Sequence, residues 1–313
     1  MTSETTMHET NLESIARDLR CMLGSEVVIK VKEPMALHTS FGVGGPADVY
    51  VVPRTASDVF NLLQYCDRNG VRVTVIGNGT NLLVRDGGVE GVIIQFGGSG
   101  LNHVCVRENI IECEAGVKLS SVVGIASQHG LGGIEFLDGI PGTVGGAIRM
   151  NAGAFGGTIF DRIVQVDFFS LKGKEGTRRR AELNPGYRGC NFFRENVVYR
   201  VTFECLFGDP RLIQEKVRQY RDQRCKTQPL GKSAGCIFKN PVGIPAGKLI
   251  DDLGLKGLRV GGAVISNKHA NFIINEGNAK AVDILRLIDL VRERVWAATG
   301  IELELEIEVI GHE

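Results

Sequence analysis

At 313 residues the chain exceeds the size at which one hydrophobic core usually stops growing, so two or three domains are expected. Its 36 basic and 36 acidic residues balance, leaving no field to draw in nucleic acid or an anionic membrane surface. No apolar run is long enough to span a bilayer and the N-terminus lacks an apolar leader, so the expectation is a cytoplasmic protein of small-molecule chemistry with no membrane partner.

Residues 1–20 read as a polar N-terminal extension, mobile or loosely helical. Strand-like alternation follows at 27–31 and 47–52, separated by the turn-rich TSFGVGGPA. An amphipathic helix over 55–68 directs Val59, Phe60, Leu62, Leu63 and Cys66 inward, capped by Thr55 or Ser57 and ended before Gly70. The alternation at 71–76 completes a βαβ unit. It runs directly into the glycine loop Gly77-Asn78-Gly79-Thr80-Asn81-Leu82-Leu83-Val84, and a strand leading into a glycine loop is how a backbone anion site is usually built.

From 91 to 207 the pattern predicts short strands (92–96, 110–115, 163–169 and 197–207) and one helix near 119–128, a second α+β lobe. A helix from 210 to about 224 carries Leu212, Ile213, Val217 and Tyr220 on one face and leads into a third unit. That unit comprises 233–241, 244–253, 260–274 and a periodic helix over 281–298 with Val282, Leu285, Ile288, Val291 and Val295 inward. The run 302–310 alternates strictly and predicts a half-buried strand with Glu302, Glu304, Glu306 and Glu308 on one face.

The segment Gly132 to Gly157 holds nine glycines in 26 residues, in a chain with 41 glycines overall. The usual glycine share is roughly 7%. Glycine loses the most conformational entropy on folding, so a cluster marks backbone needing positive φ or a ligand approached by main-chain N–H groups. Neither glycine loop is G-x-G-x-x-G opening a helix, and neither is a P-loop. Either alone is equally a tight structural turn; together they favour a large phosphate-bearing ligand held by backbone.

Arg188, in Tyr187-Arg188-Gly189-Cys190 after Pro185-Gly186, has two readings. It pairs with a surface carboxylate, the commoner outcome, or it clamps a substrate carboxylate or steadies a developing enolate. Cys236, in SAGCIFKNP, is by base rate a core thiol. With Gly235 opening the backbone and Lys239 supplying charge, it also reads as a proton donor or nucleophile. The four glutamates read as a solvated face with Lys256, Arg259, Lys268 and His269 as available partners, one of them lining a site. The eight cysteines lack C-x-x-C spacing, which argues against a metal site. Most read as reduced core residues, with Cys190 and Cys236 set apart by their surroundings.

Taken in order, TSFGVGGPAD, GNGTNLLV, AGVKLSSVVGIA, GIEFLDGIPGTVGGAIRMNAGAFG, YRGC, SAGCIFKNP, LKGLRVGGAVISNKHANFIIN and GIELELEIEVIG span nearly the whole chain. These blocks resemble the UDP-N-acetylenolpyruvoylglucosamine reductases, flavoenzymes that complete UDP-N-acetylmuramate for peptidoglycan, and within them the shorter, second type. The resemblance implies an α+β fold: a two-lobed FAD-binding domain of the vanillyl-alcohol-oxidase (PCMH) type and a C-terminal α+β substrate domain. The implied map is 21–209 for the FAD-binding domain (lobes about 21–91 and 92–209) and 210–313 for the substrate domain.

It further implies noncovalent FAD reduced by NADPH, hydride delivery to the enolpyruvyl methylene carbon, and protonation of the neighbouring carbon of the resulting enol. The enol-stabilising arginine and glutamate match Arg188 and Glu306, and the proton donor matches Cys236. Flavin contacts fall on Gly77, Asn78, Gly79, Thr80, Asn81 and Leu82. They also fall on Gly139, Ile140, Pro141, Gly142, Thr143, Gly145, Gly146, Ala147, Asn151 and Gly153, with Gly42, Gly44 and Gly45 close by. Substrate contacts fall on Tyr187, Lys239 and Asn240.

The chain departs from the family pattern in three places. The proton donor is usually serine; a free thiol with pKa about 8.5 stays mostly protonated at neutral pH, so the role survives. The usual proline before the glutamate is Leu305, and the usual serine after the Tyr-Arg pair is Cys190. Three rival readings are another flavoenzyme on the same scaffold, a transferase using Cys236 as nucleophile with His269 as base, and a non-catalytic nucleotide-binding module. Histidine-tethered flavin is disfavoured, because no histidine lies between Thr39 and Asn102.

Overall fold

The computed structural model describes residues 3–98 and 100–313, with side chains from residue 11 onward. Met1 and Thr2 of the expected extension lie outside the described residues. The rest of that segment lies in the helix Ser3–Met22, the helical one of the two readings. Leu12, Ala16, Leu19 and the following Leu23 recur at helical spacing and are buried, which docks the helix on the core.

The chain clusters into two compact units, each built from separate stretches: residues up to 33, 48–78 and 90–222 in the first, and 34–47, 79–89 and 223–313 in the second. The expected map has one cut, between 209 and 210. Leu82–Val84 pairs in parallel with Glu308–Ile310, drawing 79–89 to the end of the chain, and the Gly45 N–H donates to the Arg85 carbonyl at 2.9 Å, bringing 34–47 with it.

In the first unit one four-stranded sheet runs in the order Val28–Pro34, Pro46–Val52, Val89–Gln95, Val73–Ile76, the last two parallel with Val73 opposite Val92. The crossover helix Ala56–Arg68 is closed at its start by Thr55. Its hydroxyl accepts from the Asp58 N–H at 3.1 Å, while the Asp58 carboxylate accepts from the Thr55 N–H at 2.9 Å. Val59, Leu62, Leu63 and Cys66 are buried. Phe60 is half-buried and tilts onto Phe169, centroids 5.9 Å apart.

The second sheet is wholly antiparallel, in the order Glu175–Arg179, Ile163–Ser170, Asn196–Glu204, Ile110–Glu114, Val104–Arg107. Its two outer strands escape the sequence reading because edge strands are short and need no continuous apolar face. The expected strand 197–207 stops at Glu204, and Leu206–Phe207 turns away to pair with Leu131–Gly132. One continuous core joins both lobes, with Val49 and Leu62 from the first and Ile111 and Phe203 from the second.

The helix Pro210–Thr227 buries only Ile213, and Leu212, expected inward, is 66% exposed. Charge ties its side to the unit instead: Arg221 donates twice to Asp138, at 2.9 and 3.1 Å, and Lys216 lies 3.7 Å from Glu135.

The second unit has its own core around the helix Ala281–Thr299. Ile284, Leu287, Ile288, Val291 and Val295 face inward, whereas Val282 is 38% exposed, so the buried face is offset from the expected one. Asp86 starts this helix, its carboxylate accepting from the Ala281 and Val282 N–H groups at 2.9 and 3.0 Å. Gly300 ends it in the left-handed region, φ 69°. A short antiparallel sheet, Arg259–Val260, Ala263–Ile265 and Ile273–Asn275, and the helix Ala246–Asp252 pack against it.

The final run is not one strand. It bends at Glu306 and Ile307, and only Glu308–Ile310 is strand. Among the described residues no helix is long and apolar enough to cross a membrane.

Because Asp86 satisfies two helix-terminal N–H groups, Asp86→Ala should lower stability in chemical denaturation by about 1–2 kcal/mol, and Asp86→Asn by less. An unchanged midpoint for Asp86→Ala would remove the cap from the account.

Candidate functional site

The two glycine loops of the first unit meet. The strand Val73–Ile76 delivers Gly77 against Thr143, where a Cβ on Gly77 would stand 2.6 Å from Thr143 Oγ1. Thr143 is buried and opens the short helix Val144–Arg149, its hydroxyl accepting from the Gly146 N–H at 3.4 Å. A Cβ on Gly145 would lie 2.9 Å from that of Ala115, and the Gly145 N–H donates to the Ala115 carbonyl at 2.9 Å. Ala147 is buried in the same turn.

Gly139 and Gly142 have φ of 76° and 146°, and the run Gly139, Ile140, Pro141, Gly142 stays half-buried or exposed. A Cβ on Gly146 would have only Thr143 Oγ1 near it, at 3.6 Å. The loops thus combine tight packing on one side with glycine backbone partly open to solvent on the other. That arrangement fits a phosphate-bearing cofactor gripped by main chain. Asn78 belongs to this unit, its Oδ1 lying 2.8 Å from where a Cβ on Gly97 would stand.

In the second unit the other expected flavin contacts have packing reasons of their own. A Cβ on Gly79 would lie 2.1 Å from the His38 carbonyl oxygen, and one on Gly45 equally close to that of Asp86. Gly44, at φ 129°, packs on Val84, and Gly42, at φ 66°, packs on the Lys232 side chain. Thr80 is half-buried. Asn81 donates its amide to the Glu306 carbonyl at 3.0 Å and accepts from the Glu308 N–H at 2.9 Å, while Leu82 is buried opposite Glu308.

Arg188 sits in the turn Gly186–Gly189 of the first unit, with φ 56° and the Gly186 N–H donating to the Gly189 carbonyl at 2.8 Å. The end of the glycine-rich segment grips this turn. Asn151 Nδ2 donates to the Gly186 carbonyl at 2.9 Å, Arg188 Nη1 to that of Gly153 at 3.2 Å, and the Cys190 N–H to that of Arg149 at 3.1 Å. The guanidinium lies 5.5 Å from the ring centroid of Tyr187, itself 60% exposed. Cys190, set apart on sequence, is a buried thiol whose pKa burial raises, against weaker lowering by main-chain hydrogen bonds from Phe192 and Phe193 and by Arg180. It is packing.

Cys236 and Glu306 lie in the second unit on neighbouring segments. The Glu306 N–H donates to the Ile237 carbonyl at 2.8 Å, Phe238 bridges Leu305, and the Lys239 N–H donates to Glu304 at 2.9 Å. On its other side Cys236 bridges Phe272, and the buried Asn271 side chain both accepts from the Phe238 N–H at 2.9 Å and donates to its carbonyl at 2.8 Å.

The expected partners of the glutamates are otherwise engaged: Lys256 with Asp251, Arg259 with Glu276, and Lys268 with the Cys225 carbonyl. Glu302 pairs with Arg292 and Glu304 with Lys239, both exposed, whereas Glu306 is half-buried after the bend. Asn240 accepts from the Ala246 N–H at 3.0 Å and so opens a helix. His269 is held below its ordinary pKa, chiefly by burial, and its Nδ1 accepts from the Asn271 N–H at 3.2 Å. Asn271, the Asn151–Gly186 contact and the Asp138–Arg221 pair are absent from the sequence reading. Nothing local marks an amide whose partner is 33 or 35 residues away, or a carboxylate whose partner is 83 away.

Comparisons bear on both halves of the chain. Residues 47–176 match the model of an FAD binding domain, and residues 226–310 that of the UDP-N-acetylenolpyruvoylglucosamine reductase C-terminal domain. The chain is 41% identical to the UDP-N-acetylenolpyruvoylglucosamine reductase of Moorella thermoacetica, covering 96% of this chain and 99% of that one. It is 40% identical to the Clostridium tetani reductase over 93% of this chain and 94% of the relative. The crystal structure of UDP-N-acetylenolpyruvylglucosamine reductase from Thermus caldophilus superposes with a TM-score of 0.76 at 37% identity, covering 91% of this chain and 98% of that chain. The α+β class with an FAD-binding domain is therefore the fold observed.

Thiol reactivity tests these placements. Burial pushes the thiols of Cys66 and Cys205 up to about 12 and about 11, and raises those of Cys113 and Cys190. The thiolate is the reacting form, so all four should resist iodoacetamide near pH 8 until the protein unfolds, while exposed Cys21 and Cys225 label first. Early labelling of Cys190, read by peptide mass spectrometry, would contradict its burial.

Proposed function

The chain belongs to the UDP-N-acetylenolpyruvoylglucosamine reductase family, and on that premise we propose how its own residues perform the reaction. It is an FAD-containing oxidoreductase that uses NADPH to reduce UDP-N-acetylenolpyruvoylglucosamine to UDP-N-acetylmuramate. The activity belongs to peptidoglycan precursor synthesis and so to cell shape and division. We place it in the cytoplasm, where its nucleotide substrates are. The observation that carries the reading is that one chain matches both the FAD-binding domain and the reductase's C-terminal domain.

Bound FAD supplies a hydride carrier between NADPH and the enolpyruvyl carbon. The main chain of Gly77 to Leu82 and of Gly139 to Gly146 would hold its phosphates, and the stretch 21–209 would supply most of its contacts. Substrate recognition falls to 210–313 and to Tyr187, with Lys239 and Asn240 as further contacts. Arg188 presents a fixed positive charge to the substrate carboxylate and stabilises the negative charge that grows there as the methylene carbon is reduced. Glu306 holds the same enol through its carboxyl. Cys236 Sγ delivers the proton to the adjacent carbon, and the resulting thiolate regains a proton from solvent. The stretch between Thr39 and Asn102 offers no histidine to tether the flavin, so acid precipitation should release all of it; colour retained in the pellet would show a covalent link.

Arg188→Ala should slow reoxidation of the reduced flavin by substrate on the order of a hundredfold while leaving reduction by NADPH near normal. Equal slowing of both would make Arg188 structural. Cys236→Ala should leave reduction by NADPH intact and stall the product-forming step, and Cys236→Ser should recover much of it. A covalent substrate adduct on the wild-type thiol, found by mass spectrometry in mid-turnover, would replace proton donation with nucleophilic attack.

A further inference from the structure

The segment 149–153 does something that a phosphate loop does not require: it holds another loop. Asn151 has φ 42°, a conformation that L-residues other than asparagine and aspartate seldom adopt. The conformation follows the end of the helix Val144–Arg149 and accompanies delivery of the amide to the Gly186 carbonyl, 35 residues on. The orientation of that amide is settled by chemistry. Exchanging Oδ1 and Nδ2 would set two acceptors against each other at 2.9 Å.

The carbonyl it takes belongs to the first residue of the turn whose third residue is Arg188, itself at φ 56°. Arg149 flanks the contact on one side, accepting from the Cys190 N–H, and Gly153 on the other, accepting from Arg188 Nη1. Asn151 thus adds a side chain to a grip that the main-chain carbonyls of Arg149 and Gly153 also make. Its Oδ1 is enclosed and has no hydrogen-bond partner among the described residues, so the side chain is fixed through its donor.

We propose that Asn151, which the family resemblance assigns to the flavin, is instead a positioning residue for Arg188, since its amide is spent on the Gly186 carbonyl: it locks the turn Gly186–Gly189 so that the guanidinium is held in place before substrate arrives, and it acts in the enolpyruvyl step. The inference rests on the role given to Arg188 above. Preorganisation is where the effect lies, since a charge free to wander must be reordered at the moment of reaction.

Asn151→Gly is the cleanest variant, because glycine accepts φ 42° and loses only the amide. Asn151→Asp is its counterpart, setting a carboxylate oxygen against the Gly186 carbonyl. Asn151→Gly should retain FAD and melt close to the wild type with flavin reduction by NADPH near normal, while reoxidation by UDP-N-acetylenolpyruvoylglucosamine slows roughly tenfold or more in both variants. In the protein stripped of flavin, hydrogen–deuterium exchange of the peptide spanning 184–190 should quicken in Asn151→Gly. Combined with Arg188→Ala, Asn151→Gly should add less than twofold, because the group it positions is gone.

Loss of FAD, equal slowing of both half-reactions, or a full additional factor in the double variant would overturn the proposal, as would unchanged exchange at 184–190. If Arg188→Ala itself failed to separate the half-reactions, the role of Arg188 would fall, while the exchange measurement would still decide whether Asn151 holds the turn.

Discussion

The close approach of Gly77 to Thr143 is the constraint on which the first unit depends. No side chain fits at Gly77, because its Cβ would overlap the Thr143 hydroxyl. Thr143 is committed to opening the helix Val144–Arg149, and Gly145, in the first turn, is pressed onto Ala115 with no more room. The helix is six residues long, so its start and its end are one rigid piece. What leaves that end, from Arg149 to Gly153, takes hold of the turn carrying Arg188. Backbone packing therefore links the loop expected to meet the flavin to the residue expected to meet the substrate. The glycines serve packing as much as binding.

The second unit solves a similar problem with asparagine amides. Asn271 holds the Phe238 main chain through both its N–H and its carbonyl, two residues beyond Cys236, and Asn81 holds the Glu306 carbonyl. Each amide offers a donor and an acceptor from one short, stiff side chain, so it matches a peptide edge without introducing charge. Such contacts suit the roles proposed for Cys236 and Glu306, which need a fixed separation. The bend at Glu306 adds a further distinction, since it leaves Glu302 and Glu304 in exposed ion pairs and gives Glu306 a half-buried place.

Much of this was legible in the sequence where the signal is local. Thr55 followed by Asp58 marks a helix start whatever surrounds it, and the periodicity of 281–298 marks a long helix. The ordered motif blocks led to the family. Long-range choices were not legible. The helical face was misjudged at Leu212 and Val282 because burial there depends on what lies opposite, and strict alternation at 302–310 hid a bend imposed by hydrogen bonds to Ile237 and Asn81. The docking of the N-terminal helix was not legible because three buried apolar positions, Leu12, Ala16 and Leu19, are a small share of a polar segment. The glycines at 44 and 45 have packing reasons the sequence does not reveal, since a Cβ there would meet Val84 or the Asp86 carbonyl.

The central claim is that backbone grips a flavin through which electrons pass from NADPH to an enolpyruvyl carbon. It is tested most directly in one anaerobic cuvette of the purified protein. NADPH should bleach the flavin absorbance, and one equivalent of UDP-N-acetylenolpyruvoylglucosamine should then restore it with stoichiometric formation of UDP-N-acetylmuramate. A flavin that stays bleached after substrate is added, or a protein that carries no flavin and takes none up, would contradict the account.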